Sequence, residues 1–136
     1  MTALTELDEP VWLRVPADAR YAGVVRVTVT AFAVRLALPP ATVEDLCLSV
    51  DEALVLLLGG DESGARSEDG EPAGSIVVVV AAPGDRPPVH LELRLDPAPV
   101  EPIGSERLGR FTELVPSSVA IDRADPTGRV VLHHPA

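Results

Sequence analysis

The segment from Pro39 to Gly60, PPATVEDLCLSVDEALVLLLGG, constrains the fold more than any other part of the chain. Two prolines stop whatever precedes it, because proline lacks an N–H and restricts the residue before it. Two glycines at the far end supply the left-handed conformation on which helices commonly terminate. Between them Val43, Leu46, Cys47, Val50, Ala53, Leu54 and Leu57 recur at spacings of three and four, one continuous helical stripe. Thr42 is the expected N-cap, with Glu44 and Asp45 in the first turn, where the helix dipole favours acids. A helix over 42–58 with so strong a stripe needs a broad apolar surface to lie on.

The rest of the chain supplies that surface. VWLRV (11–15) alternates as a strand does. SIVVVVAAP (75–83) reads as a buried strand, and VHLELRLDP (89–97) places Val89, Leu91, Leu93 and Leu95 on one face; the GDRP turn (84–87) joins them as an antiparallel hairpin. SERLGRFTELV (105–115) reads as a short helix capped by Ser105, with Leu108, Phe111 and Val115 inward. SSVAIDR and GRVVLHH are two closing strands around an ADPTG turn. The run from Val24 to Leu38 is two-sided. Val25, Val27 and Val29 alternate with polar residues, yet Tyr21, Val25, Val29, Phe32 and Leu36 fall at helical spacing. Its length without a breaker favours a helix, started by Asp18 and ended by Pro39-Pro40. The order β-α-α-β-β-α-β-β predicts an α+β, two-layer α/β sandwich: a mixed, mostly antiparallel sheet with helices on one face. The expected organisation is a flexible N-terminus (1–10) followed by one domain (11–136), interrupted by a mobile acidic loop, DESGARSEDGEPAGS (61–75).

Composition narrows the function. The 136 residues carry a net charge of −10, and every basic side chain is arginine, which argues against nucleic-acid binding through phosphates. A single cysteine leaves no internal disulfide and no cysteine-based zinc site. No unbroken apolar run approaches the ~20 residues that span a bilayer. MTALTELDEP lacks the apolar core of a secretion signal, so the expected location is cytoplasmic.

Few residues stand out as chemistry. Glu52 lies among Leu48, Ser49, Val55 and Leu56, on the side away from the main stripe. A carboxylate there is either a base with a raised pKa or a solvated group at the helix edge. His133 and His134 project to opposite faces of one strand and do not share a metal. Cys47 belongs to the core stripe. No Walker A or GxGxxG motif is present. Arg14, Arg20, Arg26 and Arg35 fall in the first strand and first helix, either as a positive patch that anchors an acidic partner or as locally ion-paired residues.

Element order and residues together resemble one family. RVTVTAFAVRL (26–36), VEDLCLSVDEALVLLL (43–58), VHLELRLDPAPV, SERLGRFTELVPSSVAID and GRVVLHH are similar to successive elements of the anti-sigma factor/serine kinases of the RsbW and SpoIIAB type. These are small members of the GHKL (Bergerat-fold) ATPase superfamily, and the resemblance runs over roughly residues 11–134. It implies a Bergerat-like fold with a shortened ATP lid at about 97–104. In the active kinases the second helix carries a glutamate base and, four residues on, an asparagine that holds Mg²⁺. Here Glu52 keeps the first position, while Leu56 takes the second and offers no lone pair. The adenine-reading aspartate falls at Leu95, or at Asp96 if the strand slips by one. The glycines of that box fall at Pro97 and Pro99, and the glycine of the following helix gives way to Glu106-Arg107, with Gly109 displaced.

The resemblance therefore implies a degenerate member with no cofactor and a vestigial Glu52. Its partners would be a sigma factor and/or an anti-anti-sigma (STAS) protein, as a homodimer or a heterodimer with a paralogue. Arg26 matches the family's partner-contacting arginine, and Arg20, Arg14 and Thr30 lie nearby in sequence. The alternative is a working serine/threonine kinase with a divergent ATP and Mg²⁺ site, acting on an anti-anti-sigma factor.

Overall fold

A computed structural model of the chain describes residues 10–59 and 74–135. The expected N-terminal segment and acidic loop lie, except for residues 10, 74 and 75, outside the described residues, as does Gly60. The elements are β1 (Val11–Pro16), α1 (Ala22–Arg35), α2 (Pro40–Leu58), β2 (Ser75–Ala81), β3 (Val89–Asp96), α3 (Ser105–Leu114), β4 (Ala120–Asp125) and β5 (Arg129–His134). The five strands form one sheet in the order β1-β2-β3-β5-β4. Every pairing is antiparallel, so the expected mostly antiparallel sheet has no parallel pair among the described strands. The architecture is an α+β two-layer sandwich.

Strand alternation divides the sheet into two faces. Ile76, Val78, Val80, Leu91, Leu93, Val130 and Leu132 share one buried core with Val25, Val29 and Phe32 of α1, Leu46, Val50 and Ala53 of α2, and Phe111 of α3. The opposite face carries Trp12, Arg14, Val77, Val79, Glu92 and Arg94, in register across β1, β2 and β3.

Helix ends depart from the sequence expectations for local reasons. The ambiguous 24–38 run is a helix, but it spans 22–35, and a 3₁₀ turn at Ala19–Tyr21 precedes it. Asp18 caps that turn by accepting from the Arg20 N–H. At the other end Ala37 adopts a left-handed φ of 56°. Its N–H donates to Val34 and that of Leu38 to Ala33. This bond pair closes α1 before the prolines are reached. In α2 the cap is Pro39, with Pro40 in the first turn, so the expected Thr42 cap is displaced and Thr42 is buried instead. Proline suits that position because its missing N–H would have lacked an intrahelical acceptor anyway. Glu44 and Asp45 consequently fall beyond the first turn. Gly59 ends α2 at φ 85°, donating its N–H to Val55. Gly104, not Ser105, precedes α3 as its cap residue.

Candidate functional site

Helix α2 is the central helix of its layer, and its flanks decide where candidate residues end up. The flank toward α1 is fixed by two contacts whose registers agree with an antiparallel pair. Arg26 Nε donates to Asp51 Oδ1 at 2.8 Å, and Thr30 Oγ1 lies 3.1 Å from Cys47 Sγ. Thr30, expected on a partner surface, is turned into this seam. Cys47, expected in the core stripe, is only half-buried and packs beside it.

The other flank faces α3. Glu52, Val55, Leu56 and Gly59 of α2 and Arg107, Arg110, Phe111 and Leu114 line a cleft there of about 180 Å³. Leu56 is only 3% exposed and Ser49 is fully buried, so neither sits on an open surface with Glu52 as the sequence pattern suggested. The pattern treated the helix as having one buried face, whereas α3 covers a second. Ser49 Oγ donates to the Asp45 carbonyl, which satisfies a hydroxyl that would otherwise be costly to bury. Glu52 is half-buried at the cleft rim, with no hydrogen-bond or ion-pair partner among the described residues.

The decisive contact in this cleft crosses from α3. Arg107 Nη2 donates a hydrogen bond to the backbone carbonyl of Leu56. Leu56 lies in the last turn of α2, whose final carbonyls lack intrahelical donors and carry the negative end of the helix dipole. A guanidinium is a natural cap for that end. Sequence reading singled out position 107 only as a lost glycine, because the two residues are 51 apart and only the fold brings them together.

Asp96 is not brought to this cleft. It follows Glu92 and Arg94 in the alternation of β3, on the face away from the helices, and accepts from Arg14 Nη2 at 2.9 Å. Leu95 holds the inward position and packs against the core. Around Glu52, the cleft is lined by no other carboxylate, amide or hydroxyl side chain among the described residues. Oxygen donors are what Mg²⁺ requires, and one carboxylate beside two guanidiniums is a poor set for it.

No protein-family model and no curated protein sequence gives a significant match to this chain.

The four N-terminal arginines do not form a single patch. Arg14 is on the outer sheet face with Asp96, Arg20 pairs with Asp18 at 3.2 Å, Arg26 with Asp51 at 2.7 Å, and Arg35 with Asp85 at 3.0 Å. All four are ion-paired, but only the Arg20–Asp18 pair is local in sequence; the others join residues 25 to 82 positions apart. Arg26 combines this pairing with a neighbouring apolar recess on the helix layer, about 230 Å³, walled by Ala22, Leu54, Val55 and Leu58.

On the outer side of the helix layer, α1 exposes Val24, Val27, Ala31 and Val34 at spacings of three, four and three. Val27 and Val34 are 68% and 63% exposed. Across the α1–α2 seam, Leu48 and Val55 are exposed as well. Helix α1 is therefore apolar on its core side and on its solvent side, which is unusual for a helix that packs against a domain on one side only. Among the described residues there is no group of three or more His, Cys, Asp or Glu placed to hold a metal, and no helix long and apolar enough to cross a membrane.

Proposed function

We propose that the protein is a cytoplasmic, anti-sigma-like regulatory module that acts by binding a protein partner through the exposed face of α1 and α2, without nucleotide and without kinase activity. The observation that carries this reading is the apolar row Val24, Val27, Ala31 and Val34, with Leu48 and Val55 beside it and Arg26 at its edge. A surface of that composition suits a protein partner better than water. Arg26 and Asp51 are 46% and 36% exposed, and an ion pair at such exposure contributes about 0–1 kcal/mol. A partner carboxylate can thus displace Asp51 at little cost and gain a guanidinium already in position.

The resemblance to the RsbW and SpoIIAB type supplies the partner class: a sigma factor, a STAS-domain anti-anti-sigma protein, or both in competition. A second copy or a paralogue is the further partner of that reading. The α2–α3 cleft supports the nucleotide-independent half of the proposal, because buried Leu56 and the Arg107 contact occupy the side of α2 that carries Glu52.

The test is affinity capture of the full chain in its native cell, with identification of what co-purifies. Capture of a sigma factor or STAS protein by the wild type, lost with Arg26→Glu and with Val27→Asp, is the expected result. Unchanged capture by both variants would remove this surface from consideration. Calorimetry with ATP and Mg²⁺ separates the kinase alternative, favoured only by the unpartnered Glu52 at the cleft: a saturable heat that disappears in Glu52→Gln would establish it.

A further inference from the structure

The sheet face opposite the helices carries a second recess, away from the helix surface. Val77 and Val79 of β2, 5% and 3% exposed, lie there between taller side chains on both neighbouring strands. Cross-strand register places Trp12 and Arg14 of β1 opposite Val79 and Val77, and Glu92 and Arg94 of β3 opposite the same two valines. The result is a groove along β2 with an apolar floor and two walls. Its walls stand two interstrand spacings apart, about 10 Å. Arg129 of β5, the cross-strand partner of Arg94, extends the second wall. The groove encloses about 450 Å³, within the range of small-molecule sites.

Its charges are not balanced. Arg129 grips Glu92 with two N–H donors, at 3.0 and 3.4 Å, and Arg14 is held by Asp96. Arg94 has only a 3.8 Å ionic contact with Glu92 and donates no hydrogen bond to a described residue. Among the described residues three guanidiniums thus face two carboxylates, leaving one positive charge, centred on Arg94, in a chain of net charge −10. Trp12, 63% exposed, offers the indole face on the opposite wall.

We propose that this groove binds a small planar monoanion, an aryl carboxylate, with the ring lying over Val77 and Val79 against Trp12 and the carboxylate paired with the Arg94 fork. Each part of the ligand answers one unmet feature: a flat apolar body for the exposed indole, and a single carboxylate for the groove guanidinium that has no hydrogen-bond acceptor among the described residues. Asp96 at one end of the groove disfavours a second negative charge, which selects against dianions and long acidic peptides.

Trp12 is the only tryptophan, so its emission reports on the groove directly. Benzoate is titrated into the full chain with excitation near the red edge of tryptophan absorption, and benzamide serves as the neutral isostere. The expected result is a saturable change with benzoate. Affinity should fall about tenfold or more with benzamide and with Arg94→Gln, with Arg94→Lys in between. Circular dichroism of the variants checks that the fold is kept. Equal responses to benzoate and benzamide, an undiminished response in Arg94→Gln, or no saturation would overturn the proposal. So would a Trp12 emission change that follows protein concentration alone together with dimer formation in sedimentation, which would assign the groove to a second copy.

Discussion

Replacing Leu56 with asparagine, the residue that an intact kinase helix of this type carries, tests the reading of the α2–α3 cleft most directly. Leu56 is 3% exposed, so the substitution removes a buried isobutyl group, a loss of about 2 kcal/mol. It also inserts an amide into a site whose neighbours on α3 include Phe111 and Leu114. A buried amide without full hydrogen bonding costs about 1–3 kcal/mol more. Arg107 is close enough to recover part of that by turning toward the new oxygen, at the expense of the carbonyl it now caps. The net expectation is a destabilisation of about 3 kcal/mol, a sizeable share of the ~5–15 kcal/mol that holds a domain together. Urea denaturation followed by circular dichroism measures it. Leu56→Met serves as the volume-conserving control and should lose less than about 1.5 kcal/mol. If Leu56→Asn lost under about 1 kcal/mol and matched the methionine variant, position 56 would border open solvent, and the cleft would have room for a metal ligand there.

Three other perturbations probe the frame around the sites. Ala37→Gly should stabilise the protein by up to about 1 kcal/mol, because Ala37 holds a left-handed φ of 56° that costs alanine about 1–2 kcal/mol and glycine nothing; the urea midpoint reads the gain. Gly128→Ala should cost at least about 1 kcal/mol on the same assay, since Gly128 sits at φ 85° and an added Cβ would lie 3.1 Å from both Leu95 Cδ1 and Pro99 Cδ. His90 titrates below the usual histidine range because burial disfavours its charged form and His133 repels a second positive charge, with Asp122 pulling the other way. Its folded pKa is depressed, so the unfolded chain binds the proton more readily. The His90 contribution is present above about pH 6.5 and is lost as pH falls. His90→Gln should therefore flatten the drop in urea midpoint between pH 7 and pH 5; an unchanged slope would contradict this.

What the sequence disclosed and what it withheld follow from the range of the interactions. The C-terminal end of α2, the β2–β3 hairpin and the inward residues Leu91, Leu93 and Phe111 are local pattern, and they stand where periodicity and breakers put them. The closure of α1 at Ala37 was hidden because the bonds that make it involve an alanine in a glycine's conformation, with Pro39-Pro40 nearby as the more obvious stop. The orientation of Asp96 turns on strand parity, where a slip of one residue exchanges the faces. Arg107 on Leu56, and Glu92 between two arginines, join positions whose proximity no single segment reports. The pairing of Arg26 with Asp51 was equally invisible, although both residues were in view, because the antiparallel register of α1 and α2 decides which acid an arginine meets.

The bond from Arg107 to the Leu56 carbonyl is encoded from one side only. Its acceptor is main chain, present whatever side chain occupies position 56, so substitutions scanned along α2 leave it in place as long as the helix forms. The donor depends on a single codon in α3. The contact can therefore be removed from α3 alone, on a different helix from Glu52.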